Sequence, residues 1–213
     1  MMYSRSAQDM PQSAEHDLGR RALFASVGGG IFVFLATDGF QGHIGLLPSI
    51  AAIAVAILLI VASMVVLTNA DHALKANPAL ATDSPRSARI RRSYILTTQL
   101  EYVGFIVVLI ICNLFKQMVW LLPLVAIIAG IHYLVLGRIL RSVSAWAKGA
   151  IICVATVAVV AFLPAVYPPH AALTAQVYLW WIVAGFIAGA VLWFDAVVCL
   201  AQAFRARKAA VVG

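Results

Sequence analysis

The sequence predicts an all-α, polytopic membrane protein: a helical bundle of six transmembrane helices arranged as three antiparallel hairpins, with both termini in the cytoplasm. The first observation is composition, because 63% of the 213 residues are hydrophobic and only 11% are charged. A soluble domain has about 25% charged residues. The second is that the apolar residues fall in runs of about 20, which is long enough to cross a bilayer as a helix. The alternation typical of membrane barrel strands is absent.

Six windows are apolar enough to span the membrane, and they occupy most of the chain. They lie at about 22–39, 45–68, 94–115, 117–137, 147–167 and 176–200. A cytoplasmic N-terminal tail (1–19) precedes the transmembrane domain (20–204), and a cytoplasmic C-terminal tail (205–213) follows it. The connections after the first and third windows are very short, which predicts two tight hairpins, and the loop 167–176 closes a third.

The distribution of basic residues predicts the orientation. Of the 15 Lys and Arg residues, 14 lie on one side: three precede the first window, five lie between windows two and three, three flank the connection between windows four and five, and three follow the last window. The first group includes Arg20 and Arg21, the third includes Lys148, and only Lys116 lies on the other side. The positive-inside rule then places both termini in the cytoplasm. The net charge of +7 is a topology signal and requires no nucleic acid partner. The compact chain is typical of a bacterial inner membrane protein.

The longest cytoplasmic connection ends in a basic segment, 84–94. Ser84 and Pro85 suit the start of a helix, so the third helix can begin before its apolar window. Two interpretations of this segment are open. It could dock anionic lipid or a protein partner, or its charge could serve topology alone, which we favour. The basic patch consists of Arg86, Arg89, Arg91 and Arg92.

Small residues and a repeat predict how the helices pack. Gly130 and Gly185 each belong to a small-x-x-x-small pattern, which lets helices approach closely in lipid. Shifting the chain by 75 residues aligns 29–59 with 104–134, and eleven of 31 positions are identical. The first two hairpins therefore resemble copies of each other.

Three ionisable residues lie within the apolar windows: Glu101 in the third, His132 in the fourth and Asp195 in the sixth. Counted from the nearest flanking arginine at 1.5 Å per residue, they lie about 14, 9 and 15 Å deep, respectively. All three fall in the cytoplasmic half of the bilayer. Ionisable groups there are costly and usually have a partner or a function, so we predict a buried polar cluster.

The outer ends of the windows carry a second set of candidates, Asp38, Asn113 and Lys116. A rim ion pair between Asp38 and Lys116 is the simpler interpretation, and a substrate contact is the alternative. Trp180 and Trp181, with other aromatic residues nearby, are typical of an aromatic belt at the membrane surface.

Two functions remain open on these observations. The favoured one is a small-solute or ion transporter, with proton coupling through Glu101, His132 and Asp195. The alternative is a non-transport protein, such as an assembly factor or accessory subunit, in which the same cluster is structural. An enzyme is less favoured, because no catalytic motif, no metal ligand set and no cofactor site can be identified.

The three cysteines form no disulfide or metal framework. The bilayer itself is the one partner that the sequence requires.

Overall fold

The computed structural model describes residues 12–44, 46–76, 85–168 and 177–212. Six α-helices account for most of these residues. They are α1 (Gln12–Asp38), α2 (Leu47–Ala76), α3 (Pro85–Leu114), α4 (Leu121–Leu140), α5 (Val143–Phe162) and α6 (Leu179–Val212). A single 3-10 turn, Met118–Trp120, precedes α4. The described residues contain no β-strand, and an isolated antiparallel bridge joins Tyr167 to Val177.

All six helices contain a segment long and apolar enough to cross a membrane. These segments are His16–Asp38, Leu47–His72, Ser93–Leu114, Met118–Leu140, Val143–Phe162 and Leu179–Lys208. The predicted all-helical class and the six spans are therefore confirmed, and the chain is an integral membrane protein by its helices. A helix satisfies its backbone polar groups internally, as the hydrocarbon core requires.

Helix α5 begins four residues before its predicted window and ends five residues earlier. It begins where the hydroxyl oxygen of Ser142 accepts a hydrogen bond from the backbone N–H of Ala145, which is N-terminal capping. It ends at Phe162 because Leu163 precedes Pro164, and a residue before proline is disfavoured in the helical conformation. Hydropathy alone detects neither signal.

Helices α1 and α6 continue into the segments that the sequence assigned to the tails. Helix α1 already begins at Gln12, and α6 runs on to Val212. The apolar length of a span is fixed by the bilayer, whereas a helix continues for as long as its residues favour it. The C-terminal residues AFRARKAA are mostly good helix formers, so the helix extends beyond the apolar run.

The chain divides into two compact units. The first contains the start of α1 up to Gly30, α2 from Ala52 and α6 from Leu192. Its core combines small and branched residues from the three helices: Leu18, Ala22, Ala25, Leu59, Val66, Ala196, Cys199, Leu200 and Ala203. Gly30 permits a close approach there, since a Cβ at this position would lie 2.9 Å from Ala56 Cβ.

The second unit contains α3, α4 and α5, with the remaining parts of α1, α2 and α6. Helix α4 packs against both α3 and α5, and its contact with α5 is made through glycine. A Cβ atom at Gly149 would lie 2.5 Å from the Gly130 carbonyl oxygen, and one at Gly137 would lie 2.7 Å from the backbone nitrogen of Trp146. A Cβ at Gly185 would lie 2.8 Å from both Ala36 Cβ and Leu122 Cδ2. The small-residue faces predicted around Gly130 and Gly185 are therefore confirmed.

A proline and a tryptophan fix the start of α4 in the same unit. Pro123 has no N–H, so it cannot donate to the carbonyl of Val119. The indole Nε1 of Trp181 donates to that carbonyl at 3.0 Å and approaches the Met118 carbonyl at 3.2 Å. The indole of Trp180 donates to the Leu163 carbonyl at 2.9 Å.

The assignment of these two tryptophans to an aromatic belt is wrong. Trp180 is 9% exposed and Trp181 is 7% exposed. A belt residue lies at the headgroup level with its ring facing lipid, whereas these rings are buried and their polar atoms bind backbone. Sequence position placed them near a helix end, but it could not show which way they point.

Candidate functional site

The central polar contact of the second unit joins α3 to α4. The imidazole Nδ1 of His132 lies 3.3 Å from the Glu101 carboxylate Oε2, and the two side chains are 8% and 16% exposed. The contact is a close approach without directed hydrogen-bond geometry, because His132 Nδ1 has no hydrogen-bond partner in the described part of the chain. The backbone of Thr97, one helical turn before Glu101, is a second polar neighbour of the ring.

Tyr133 extends this arrangement towards α5. Adjacent residues on a helix point about 100° apart, so His132 can face α3 while Tyr133 faces α5. The two rings are edge to face, with centroids 5.7 Å apart. The ammonium Nζ of Lys148, on α5, lies 5.9 Å from the centre of the Tyr133 ring, within the range of a cation–π interaction.

Lys148 is a functional candidate that sequence reasoning missed. The residue was counted with the basic residues of a cytoplasmic connection, yet it is buried, with 8% exposure. Because α5 begins at Val143, Lys148 lies in the second turn of a membrane-spanning helix. The sequence does contain the signal that would have placed it there, namely the N-capping Ser142.

Asp195 lies in the other unit, with different neighbours. Its carboxylate Oδ1 is 3.9 Å from the Arg21 guanidinium Nη2, and the Asp195 side chain is only 6% exposed. The thiol of Cys199, one turn later on α6, lies 3.8 Å from the same oxygen. Arg21 was assigned to topology from sequence, so its contact with Asp195 is a second feature that charge counting did not reveal.

The outer candidates Asp38, Asn113 and Lys116 are all exposed. No ion pair or hydrogen bond joins the Asp38 and Lys116 side chains within the described ranges, so a rim ion pair is not formed there. A different contact occurs one residue before Asp38, where the Ser49 hydroxyl donates to the Thr37 hydroxyl at 3.0 Å.

The basic patch and metal chemistry add no further site. The backbone of Arg86, Arg89, Arg91 and Arg92 belongs to α3, but their side chains lie outside those that the structure describes. In the described part of the chain, no group of three or more His, Cys, Asp or Glu residues is placed to hold a metal ion. Cys112 and Cys199 are buried and form no disulfide within the described residues, which suits packing.

Comparison with protein-family models, curated proteins and solved structures found no match.

Proposed function

We propose that this chain transports a small solute or an ion across the membrane and couples that movement to protons exchanged at Glu101 and His132. The 3.3 Å approach of His132 Nδ1 to Glu101 Oε2 inside two candidate spans carries the proposal. A carboxyl group and an imidazole can hold and pass a proton near neutral pH. Burying both in a membrane is costly, and such residues commonly mark ion or proton pathways.

The polar side chains of the adjoining helix extend the proposed pathway. Tyr133 and Lys148 continue a line of polar groups from α4 to α5, so acid, imidazole, phenol and ammonium occur on three packed helices. Asp195 is a second proposed ion or proton group, held beside Arg21 in the other unit.

A structural role is the alternative, and a specific observation favours it. Only 6% of the most apolar window of α3 is buried, so α3 has few buried contacts with which to hold its place. In a non-transport protein, such as an assembly factor or accessory subunit, the contact between Glu101 and His132 would attach α3 to α4 and move no cargo.

Proton flux through liposomes tests the proposal. Purified wild-type protein is reconstituted with an internal pH dye, and a membrane potential drives proton entry. We expect wild type to exceed empty liposomes and Glu101→Gln or His132→Gln to lose about tenfold or more of that excess, because each removes one proton-exchanging group. Tyr102→Phe is the matched control, since it removes only a hydroxyl from the exposed neighbour of Glu101.

The same variants separate transport from the structural alternative. If Glu101 and His132 are kept for function at a cost in stability, each variant melts at the wild-type temperature or above while its flux falls. The structural alternative predicts unchanged flux and a lower melting temperature in each single variant. It also predicts that the loss in the double variant Glu101→Gln/His132→Gln differs from the sum of the two single losses. This combination contradicts the transport proposal and supports a structural cluster.

We further propose that the six helices form three hairpins in a bacterial inner membrane, with both termini in the cytoplasm. The 14-to-1 distribution of basic residues supports this orientation. Cysteines introduced as His43→Cys and Lys116→Cys should react with a membrane-impermeant maleimide in intact cells, whereas Lys75→Cys should react only after permeabilisation. The reverse pattern, or reaction of all three in intact cells, would contradict this topology.

A further inference from the structure

An open cavity lies at the turn between α4 and α5. Its volume is about 310 Å³, and its lining comes from the end of α4, the turn itself and the first helical turn of α5: Gly137, Arg138, Arg141, Ser142, Val143 and Trp146. The candidate spans of the two helices end at Leu140 and begin at Val143. The cavity therefore lies at a membrane boundary.

The two arginines of this cavity have no counter-charge among the residues that the structure describes. Neither the Arg138 nor the Arg141 guanidinium forms an ion pair or a side-chain hydrogen bond within the described residues. They are three positions apart and line one cavity. Guanidinium groups bind phosphate through paired N–H donors, so two of them without a carboxylate partner in the described part of the chain favour a phosphate-bearing ligand.

The backbone of Arg141 gives an independent reason to assign it a role. Its φ is 51°, in the left-handed region that normally selects glycine. The N–H of Arg141 donates to the Arg138 carbonyl and the N–H of Ser142 to the Gly137 carbonyl, which is the helix-ending motif in which glycine is usual. A strained arginine at a glycine position is a recognised indication of function, and Arg141 is one of the residues that line the cavity.

Two of the remaining lining residues are apolar and exposed. Val143 is 83% exposed and Trp146 is 51% exposed, and both lie beside the two arginines. A free phosphate ion would leave these side chains without a partner. A phospholipid matches both the basic and the apolar lining residues. Its phosphodiester can bind the guanidinium groups, and its glycerol and acyl portions can pack against an aliphatic and an indole side chain.

We propose that this cavity binds the headgroup of an anionic phospholipid, with Arg138 and Arg141 on the phosphodiester and Val143 and Trp146 against the glycerol and upper acyl chain. The proposal uses different residues from the 84–94 basic segment and from the contact between Glu101 and His132. It does not depend on whether the protein transports anything.

Lipid binding to the purified protein in detergent tests this site. Phosphatidylglycerol and phosphatidylcholine are titrated separately, and bound lipid is counted by native mass spectrometry. We expect saturable binding of phosphatidylglycerol, and about thirtyfold weaker binding in the double variant Arg138→Gln/Arg141→Gln, since each arginine near a lipid surface contributes roughly fivefold. Arg205→Gln/Arg207→Gln is the matched control. It removes the same charge from exposed arginines of α6 that do not line the cavity, so its affinity should stay within about twofold of wild type.

Three results would overturn the proposal. Equal loss in the two double variants would mean that net charge alone attracts the lipid. Equal binding of phosphatidylcholine would remove the requirement for an anionic headgroup. Displacement of phosphatidylglycerol by millimolar inorganic phosphate would identify a small-anion site in place of a lipid site.

A second measurement needs no arginine variant and so remains informative if those variants fail to insert. Brominated phosphatidylglycerol should quench the tryptophan fluorescence of wild type more than brominated phosphatidylcholine does at the same concentration. The difference should vanish in Trp146→Phe, because Trp146 is the tryptophan on the cavity. A difference that persists in this variant contradicts the site.

Discussion

Replacing Gly149 with alanine is expected to lower the melting temperature of the detergent-purified protein by roughly 5–10 °C, corresponding to about 3 kcal/mol of overpacking. The new Cβ would lie 2.5 Å from the Gly130 carbonyl oxygen and 2.7 Å from the Leu134 nitrogen. Both are backbone atoms of α4, so relief requires the helices to separate. The intrinsic gain from alanine in a helix, about 1 kcal/mol, is too small to compensate.

Gly104→Ala is the matched control for this change. A Cβ there would lie 3.3 Å from two side-chain atoms of Ile128, and an isoleucine side chain can shift by a few tenths of an ångström. We expect this variant to melt at or slightly above the wild-type temperature. Equal losses at Gly149 and Gly104 would show that the backbone contact between α4 and α5 is not what makes Gly149 necessary.

Arg21→Gln is expected to destabilise the protein more than Asp195→Asn. Asp195 is 6% exposed and Arg21 is 36% exposed, so the two partners differ in access to solvent. Without the guanidinium, the carboxylate loses a counter-charge while it stays buried, which costs about 2 kcal/mol after allowance for the partial exposure of Arg21. Without the carboxylate charge, Arg21 can still reach a polar environment, and the cost stays below about 1 kcal/mol.

The double variant and a neighbouring arginine complete this experiment. Arg21→Gln/Asp195→Asn should recover part of the loss, because Asp195→Asn removes the buried negative charge that has lost the Arg21 counter-charge. Arg20→Gln makes the same change of charge one position away and should have little effect on the melting temperature. A loss at Arg20 as large as that at Arg21, or a greater loss for Asp195→Asn, contradicts the assignment of this pair.

The sequence was sufficient to predict the six spanning helices, because hydrophobic length is a strong signal in a chain with so little charge. It also predicted that Gly130 and Gly185 would permit close packing, since small residues at a four-residue spacing share one helix face. The sequence predicted the ends of the helices less accurately. Helix α5 begins at a capping serine and ends before a proline, and both are local signals that an apolar average conceals.

Side-chain neighbours were the part that sequence could not supply. Glu101 and His132 were both recognised as unusual, but their contact depends on how α3 and α4 are rotated about their axes. Lys148 and Arg21 were interpreted only as topology signals, although each also contacts a partner inside the fold. A basic residue near a membrane boundary can serve both purposes, and charge counting detects only the first.

The glycine contact between α4 and α5 limits where this protein can change shape. With backbone against backbone at Gly130, Gly137 and Gly149, neither helix can slide along the other without driving a larger residue into a space that holds only hydrogen. The two helices therefore act as a fixed frame. Helix α3 is exposed along most of its span, so we expect it to tilt against that frame more readily than α5 does, with the contact between Glu101 and His132 opposing the movement.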